Sequence, residues 1–368
     1  MITEFKISGF KRFNEETFTI SPLTILTGLN GSGKTSFVQA FLLAWESSGA
    51  ESQTVVRLND PFDMTLGTAE DIRNWGTDGE IEFHMKSEEV QSSIWRFGVP
   101  TEDALYLNIN VKPGMYPNAF GRLPRAFTYL SAERFGPKNT LYESPLPPDQ
   151  LEVGVRGQYS AQMLSVFGNK IIEDKARLHP QSDMDNPTLL KYEVERWLGE
   201  IARPVEIDPI QYPGTTVNAL RFRNPGGDWV RAPNMGFGIS YALPIIIAGL
   251  TARSGGLIIV ENPEAHLHPA GQSRMGVFLA WLAGRGVQVI LETHSDHLLN
   301  GVRLGIGKYK YLTSEKATVH FFDSNKNDDV KVQTLKFTPI GGLLDWPTGF
   351  FDQYHLDVAA LGKIRRGE

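Results

Sequence analysis

Gly28-Leu29-Asn30-Gly31-Ser32-Gly33-Lys34-Thr35, followed by Ser36, fits the pattern G-x-x-x-x-G-K-[ST] at every position. The apolar, β-branched residues 23–27 (LTILT) before it read as a buried strand. Residues 35–45 (TSFVQAFLLAW) after it read as a helix, with Phe37, Phe41, Leu42 and Trp45 at helical spacing. Glycines let such a loop curl until its N–H groups point inward at phosphate oxygens, and the helix start adds its positive end. Asn30, Gly31, Ser32, Gly33, Lys34, Thr35 and Ser36 are therefore candidate phosphate contacts. Lys34 would bring a point charge to the β- and γ-phosphates, and the Thr35 hydroxyl would serve a Mg²⁺ ion. Strand, loop and helix together predict a nucleoside triphosphate site.

Composition sets the frame around that site. A chain of 368 residues, 41% hydrophobic and 21% charged, has room for one large or two smaller domains of ordinary globular character. Its formal net charge of −6 argues against a wholesale electrostatic grip on nucleic acid, while leaving room for a local basic face. The absence of cysteine excludes disulfides and thiolate metal sites. No signal peptide and no apolar run near the ~20 residues of a membrane span are visible, so a cytoplasmic protein without membrane contact is expected.

Residues 2–10 and 17–27 read as two strands joined by a polar turn. Arg12 and Phe13 sit in that turn, where they read equally as nucleotide neighbours or as exposed turn residues. Residues 80–86, 93–99 and 104–111 alternate or carry β-branched and aromatic side chains, which predicts an antiparallel β region. Residues 127–134 (FTYLSAER) form a strand with a polar tip, readable as a ligand edge or as a salt-bridged strand end. Two helices are expected next, at 159–175 and from Asn186-Pro187 onward, the latter burying Leu190, Val194, Trp197 and Ile201. Arg221, Arg223 and Arg231 then lie in a β-rich stretch that is either a solvated face or a DNA or partner contact.

Asn234-Met235-Gly236-Phe237-Gly238-Ile239-Ser240 runs directly into an apolar helix, which predicts a second anion site on bare N–H groups. Residues 257–264 (LIIVENPE) form a buried strand ending in acid, the form of a Walker B element. Another strand, 287–291, closes on Glu292-Thr293-His294-Ser295-Asp296-His297, which would bring His294 near a terminal phosphate or its attacking water. His266, His268, His294 and His297 with Glu264 raise the question of zinc. They lie at strand ends and helix starts instead of on one helix face, which argues against it. An acidic turn at 324–329 reads as a hairpin loop, with a second metal site as the other reading.

Together the segments GLNGSGKTS, YLSAERFGP, NMGFGIS, LIIVENPEAHLHP and LETHSDHLL resemble the ABC/SMC-type ATPases of the RecF and OLD-related group, AAA-like proteins common in bacterial defence operons. The resemblance implies an α/β fold: an ABC-type ATPase head with a P-loop sheet core, an antiparallel β lobe and a small helical insert. Residues 1–50 and 240–368 would form the ATP-binding core, 51–135 the β lobe, and 136–239 an insert ending in the signature loop. The span between Arg134 and Gly236 is too short for the long coiled-coil arms of some relatives.

The resemblance also implies ATP and Mg²⁺ as ligands, with Thr35 and Glu261 at the metal, and a homodimer in which Gly236, Gly238 and Ser240 act on the other copy's ATP. His294 corresponds to the switch histidine that senses the γ-phosphate. Lys34, Glu261, Glu264 and His294 are thus the candidate catalytic residues, with Arg12 a candidate nucleotide contact. Two departures stand out. The usual Asp-Glu pair reads Glu261-Asn262, and an amide is no general base near neutral pH. The usual Leu-Ser-Gly-Gly-Gln reads Gly236-Phe237-Gly238-Ile239-Ser240. The nuclease patterns of OLD-type proteins do not appear after His297, so effector chemistry is expected on a separately encoded partner. The remaining readings are an ATPase acting directly on DNA and a slow-turnover, nucleotide-dependent scaffold.

Overall fold

The computed structural model describes residues 1–366 except 78, 173, 184, 186, 187 and 325–329. In chain order, β1 (Ile2–Phe10) and β2 (Phe13–Thr19) form a hairpin, and β3 (Leu23–Gly28) passes through the P-loop into α1 (Lys34–Ser47). Then come β4 (Val55–Arg57), the short α2 (Ala69–Ile72), β5 (Ile81–Ser87), β6 (Ser93–Gly98) and β7 (Tyr106–Val111). β8 (Phe127–Leu130) and β9 (Leu141–Tyr142) precede α3 (Ser160–Phe167) and α4 (Leu190–Ile201). β10 (Glu206–Gln211), β11 (Val217–Arg223) and β12 (Val230–Arg231) lead to α5 (Phe237–Thr251). β13 (Leu257–Glu261), α6 (Pro269–Gly284), β14 (Gln288–Glu292) and α7 (Asp296–Gly307) come next. β15 (Ala317–Ser324), β16 (Val330–Lys336) and α8 (Gln353–Arg366) follow.

The strands make three sheets among the described residues. The central one runs β16-β15-β3-β14-β13-β8, parallel except for the edge strand β16. An antiparallel sheet runs β2-β1-β5-β6-β7-β4, and a small one joins β9, β10, β11 and β12. The expected α/β head with a P-loop sheet and an antiparallel lobe is what forms. Three strands cross the boundaries drawn from sequence. β1 and β2, placed with the core by the 1–50 boundary, belong to the antiparallel sheet, β1 pairing with β5 and β2 with β1. β8, placed in the lobe by the 51–135 boundary, pairs with β13 as the parallel edge strand of the central sheet, with all four of its residues buried. The strand expected over 17–27 is two, interrupted at Ser21-Pro22, and its halves lie in different sheets.

Side-chain alternation explains how the parallel sheet is covered. Leu257 and Ile259 of β13 join the core containing Phe37, Phe41 and the antiparallel sheet, whereas Ile258 and Val260 join the core containing α4, α5 and α6. β14 follows the same rule, with Ile290 on the α1 side and Val289 and Leu291 opposite. Each buried Phe or Leu of α1 contributes roughly 1.5–3 kcal/mol of burial, so α1 is clamped to the sheet although no side chain caps its start.

Helix 159–175 shortens to α3, since Gly168 ends it. The helix start expected at Asn186-Pro187 lies outside the described residues, but Leu190, Val194, Trp197 and Ile201 are buried on α4 as read. The acidic turn at 324–329 also lies outside them, apart from Ser324, which ends β15. Arg221 and Arg223 are committed locally, to Asp208 (shortest contact 2.5 Å) and Glu206 (2.5 Å), and both sit over the Trp229 ring. Arg231 is exposed beside them.

Candidate functional site

The P-loop is shaped by backbone that only glycine tolerates. Gly28 has φ 137°, and a Cβ there would lie 2.0 Å from the Phe322 carbonyl oxygen of β15. Gly33 caps α1 in a left-handed conformation, φ 111°, without a side-chain acceptor. The first-turn N–H groups of α1 therefore have no intrahelical partner and face the loop, the arrangement that binds anions. Asn30, Gly31 and Thr35 are exposed at the loop's rim, Ser36 is half-buried, and Ser32 is buried with its hydroxyl donated to the Leu29 carbonyl (2.7 Å). Lys34 Nζ, 3% exposed, donates to the Gly28 (3.0 Å) and Leu29 (2.7 Å) carbonyls. Burial holds its pKa below the usual lysine range. Arg12 is exposed at the tip of the β1–β2 hairpin, and its neighbour Phe13 packs beside Gly33, so the hairpin borders the loop.

Strand order decides which acids meet this loop. β14 lies between β3 and β13, with Glu292 in register with Leu26 on one side and Glu261 on the other. By alternation both acids fall on the α1 face, at the sheet's carboxyl edge. Glu292 accepts from the Thr35 hydroxyl (3.4 Å) and lies 4.0 Å from Lys34 Nζ and 3.9 Å from His294 Nε2. Burial first, then the neighbouring Glu261 charge, raise its pKa to about 7, against the opposing pull of Lys34. His294 is pushed below its ordinary value by burial and by Lys34, so it is neutral at pH 7.

Glu261 is turned the other way. Its carboxylate accepts from the Tyr129 hydroxyl (3.0 Å) and the Ala132 N–H (3.2 Å) on the β8 side. Burial raises its pKa, as it does that of Tyr129. Arg134, 2% exposed, donates to the carbonyls of Ser131 (2.7 Å), Glu261 (2.6 Å) and Asn262 (2.6 Å). Burial lowers its pKa to about 10, which still leaves it charged at neutral pH. The polar tip of residues 127–134 is thus a backbone buckle tying β8 to β13. Asn262 has φ 44°, a conformation that asparagine accepts more readily than glutamate. Glu264 Oε1 accepts from the His294 N–H (2.9 Å), so it fixes the segment that follows β14, and burial raises its pKa.

Not all the expected residues converge. Lys34, Thr35, Glu292 and His294 meet at the P-loop, with Glu261 and Glu264 beside them. Gly236, Gly238 and Ser240 start α5 elsewhere: a Cβ on Gly238 would come within 3.0 Å of the His266 carbonyl, and Phe237 stacks on His266. His266 packs between Phe237 and Tyr241, His268 caps α6, and His297 is paired with Asp296. Among the described residues no group of three or more His, Cys, Asp or Glu could hold a metal, so the zinc reading has no support. A hydroxyl and two carboxylates are, by contrast, a donor set that suits Mg²⁺, which takes one or two carboxylates and leaves the rest to phosphate and water. Ser131 Oγ, Asn262 Oδ1 and Glu264 Oε2 are buried beside it without a hydrogen-bond partner in the structure.

Glu292 and Tyr129 are the residues that sequence reading passed over. The signal for Glu292 was its position as the last residue of an apolar strand, two before His294.

No helix among the described residues is long and apolar enough to cross a membrane. A family model described as "AAA domain, putative AbiEii toxin, Type IV TA system" matches residues 146–300, and an AAA domain model matches residues 4–59. Residues 312–361 match a family described as a protein of unknown function, DUF3696. No curated protein matches the chain. The Smc head domain with an extended coiled coil, bound to the C-terminal domain of ScpA derived from Pyrococcus furiosus, is similar over 99% of each chain, with 12% identity and a TM-score of 0.53. The SMC head domain from Thermotoga maritima covers 92% of this chain and 99% of its own, with 12% identity and a TM-score of 0.44. AAA-domain models thus match both segments that build the phosphate site, and the chain is a P-loop protein with the fold of an SMC head.

Proposed function

We propose that the protein is an ATP-driven switch. It binds ATP with Mg²⁺ at residues 28–36, closes a head-to-tail homodimer around two nucleotides, and reopens on hydrolysis. The change of state controls a separately encoded effector, in anti-phage defence. The observation that carries this reading is the separation within one chain of two helix starts capped by glycine. The P-loop start of α1 lies with Lys34, Thr35 and Glu292, while the glycine-flanked start of α5, with Gly236 and Phe237 exposed, packs on the 262–268 loop. A second copy would bring its α5 start to the outer side of the bound triphosphate. The match to a family named for the AbiEii toxin supports the defence setting.

In this reading Lys34 leaves its two carbonyl acceptors for the β- and γ-phosphates, and the α1 N–H groups hold their oxygens. Thr35 and Glu292, with Glu261 beside them, would hold Mg²⁺, which when bound supplies charge neutralisation on the phosphates. Neutral His294 donates to, or accepts from, the group at the terminal phosphate, in a position set by Glu264. Asn262 orients water without deprotonating it, which makes turnover slow. That last point also favours the second reading, a nucleotide-dependent scaffold with little hydrolysis.

Light scattering with and without ATP and Mg²⁺ tests the switch. Doubling of mass with ATP is expected, with loss of the dimer and retention of ATP binding in Ser240→Arg. A mass unchanged at saturating ATP would refute the trans arrangement. Phosphate release separates the readings: none above background from an ATP-closed dimer means scaffold, whereas release stimulated by DNA would favour direct action on nucleic acid.

A further inference from the structure

The two acids at the sheet edge are not equivalent, and their difference goes deeper than the switch reading on which this inference rests. Both oxygens of the Glu261 carboxylate are engaged from the β8 side, by Tyr129 and by the Ala132 N–H. Glu292 faces the other way, onto Thr35 and Lys34. Ligands side by side on a divalent cation with ~2.1 Å bonds lie about 3 Å apart. Thr35 Oγ1 and Glu292 Oε2, at 3.4 Å, are close to that separation. The nearest cation to Glu292 is Lys34, the group that a triphosphate would draw away. A carboxylate only 6% exposed then needs another positive partner, and the position beside Thr35 supplies one.

We infer that Glu292 is the carboxylate that holds the divalent cation directly beside Thr35, with Glu261 behind it as a support locked to β8. Tyr129 and the Ala132 N–H then act as positioning groups for the rear acid. The metal-holding function sits on the strand between the P-loop strand and the Walker B-like strand.

The test is binding, read without turnover. Affinity for a fluorescent ATP analogue is measured in EDTA and in Mg²⁺, and Mn²⁺ bound with ATP is counted by electron paramagnetic resonance. The unmodified protein is expected to bind in EDTA and to tighten with metal. Glu292→Gln is expected to match it in EDTA but to lose the metal-dependent tightening by about tenfold or more, together with the bound Mn²⁺ signal. Glu292→Asp, which keeps the charge, is expected to recover part of both. Glu261→Gln is expected to lose less than Glu292→Gln. A Glu292→Gln protein with undiminished metal dependence would overturn the assignment while leaving ATP binding intact. Failure of the unmodified protein to bind the analogue in either condition would overturn the nucleotide site itself, and the assignment with it.

Discussion

Removing the charge of Glu292 should stabilise the metal- and nucleotide-free protein, and only at the pH where that charge exists. The carboxyl is 6% exposed, and burial with the Glu261 charge raises its pKa from an ordinary 4.5 to about 7. A raised carboxyl favours the folded state fully below 4.5, and this contribution is lost as pH climbs through 7. At about 1.4 kcal/mol per pH unit the loss amounts to about 3 kcal/mol. Glu292→Gln keeps the shape without the charge, so it should gain that amount relative to the unmodified protein at pH 8 and almost nothing at pH 4.5. For 368 residues, with unfolding entropy of about 2 cal/mol/K per residue, this corresponds to roughly 4 °C in Tm. Lys34 is not stranded by the change, because it keeps the Gly28 and Leu29 carbonyls. Thermal unfolding of both proteins in EDTA, at half-unit steps from pH 4.5 to 8, measures the difference. A Tm difference independent of pH, or a variant less stable at pH 8, would refute the reasoning.

Three further outcomes follow from named contacts. Gly301→Ala should destabilise by about 1–3 kcal/mol, since its Cβ would lie 1.9 Å from the Ser273 carbonyl oxygen where α6 and α7 touch; calorimetric unfolding reads this as a lowered Tm. Arg134→Lys should cost about 2 kcal/mol or more, because one ammonium cannot reach the Ser131, Glu261 and Asn262 carbonyls together; denaturant unfolding checks it, and a neutral result would contradict the buckle. Asn262→Glu should raise phosphate release at least about tenfold, after about 1 kcal/mol of strain at φ 44°; unchanged turnover would clear Asn262 as the limiting group.

What was legible in the sequence was what is local. The P-loop announces itself because its glycines, Lys34 and the apolar strand and helix around them are contiguous. β13 was readable for the same reason. The division of residues 17–27 was signalled by Pro22, whose missing N–H suits a break more than a central strand. Strand order was not legible. Nothing in the run QVILE states that it will lie between β3 and β13, and only that placement makes Glu292 a neighbour of Thr35. Glu261 was recognisable as the acid ending a buried strand, but the direction of its carboxylate depends on Tyr129, which comes from β8 far away in the chain. Asn262 looked like a lost base; its left-handed backbone adds a reason for the residue that sequence pattern cannot carry.

The account stands on the triphosphate site itself, and calorimetric titration of the protein with ATP and Mg²⁺ tests it most directly. Saturable binding at one site per chain, abolished in Lys34→Ala without loss of the folded state, is the expected result. Binding that survives undiminished in Lys34→Ala, or no heat of binding from the unmodified protein, would contradict it.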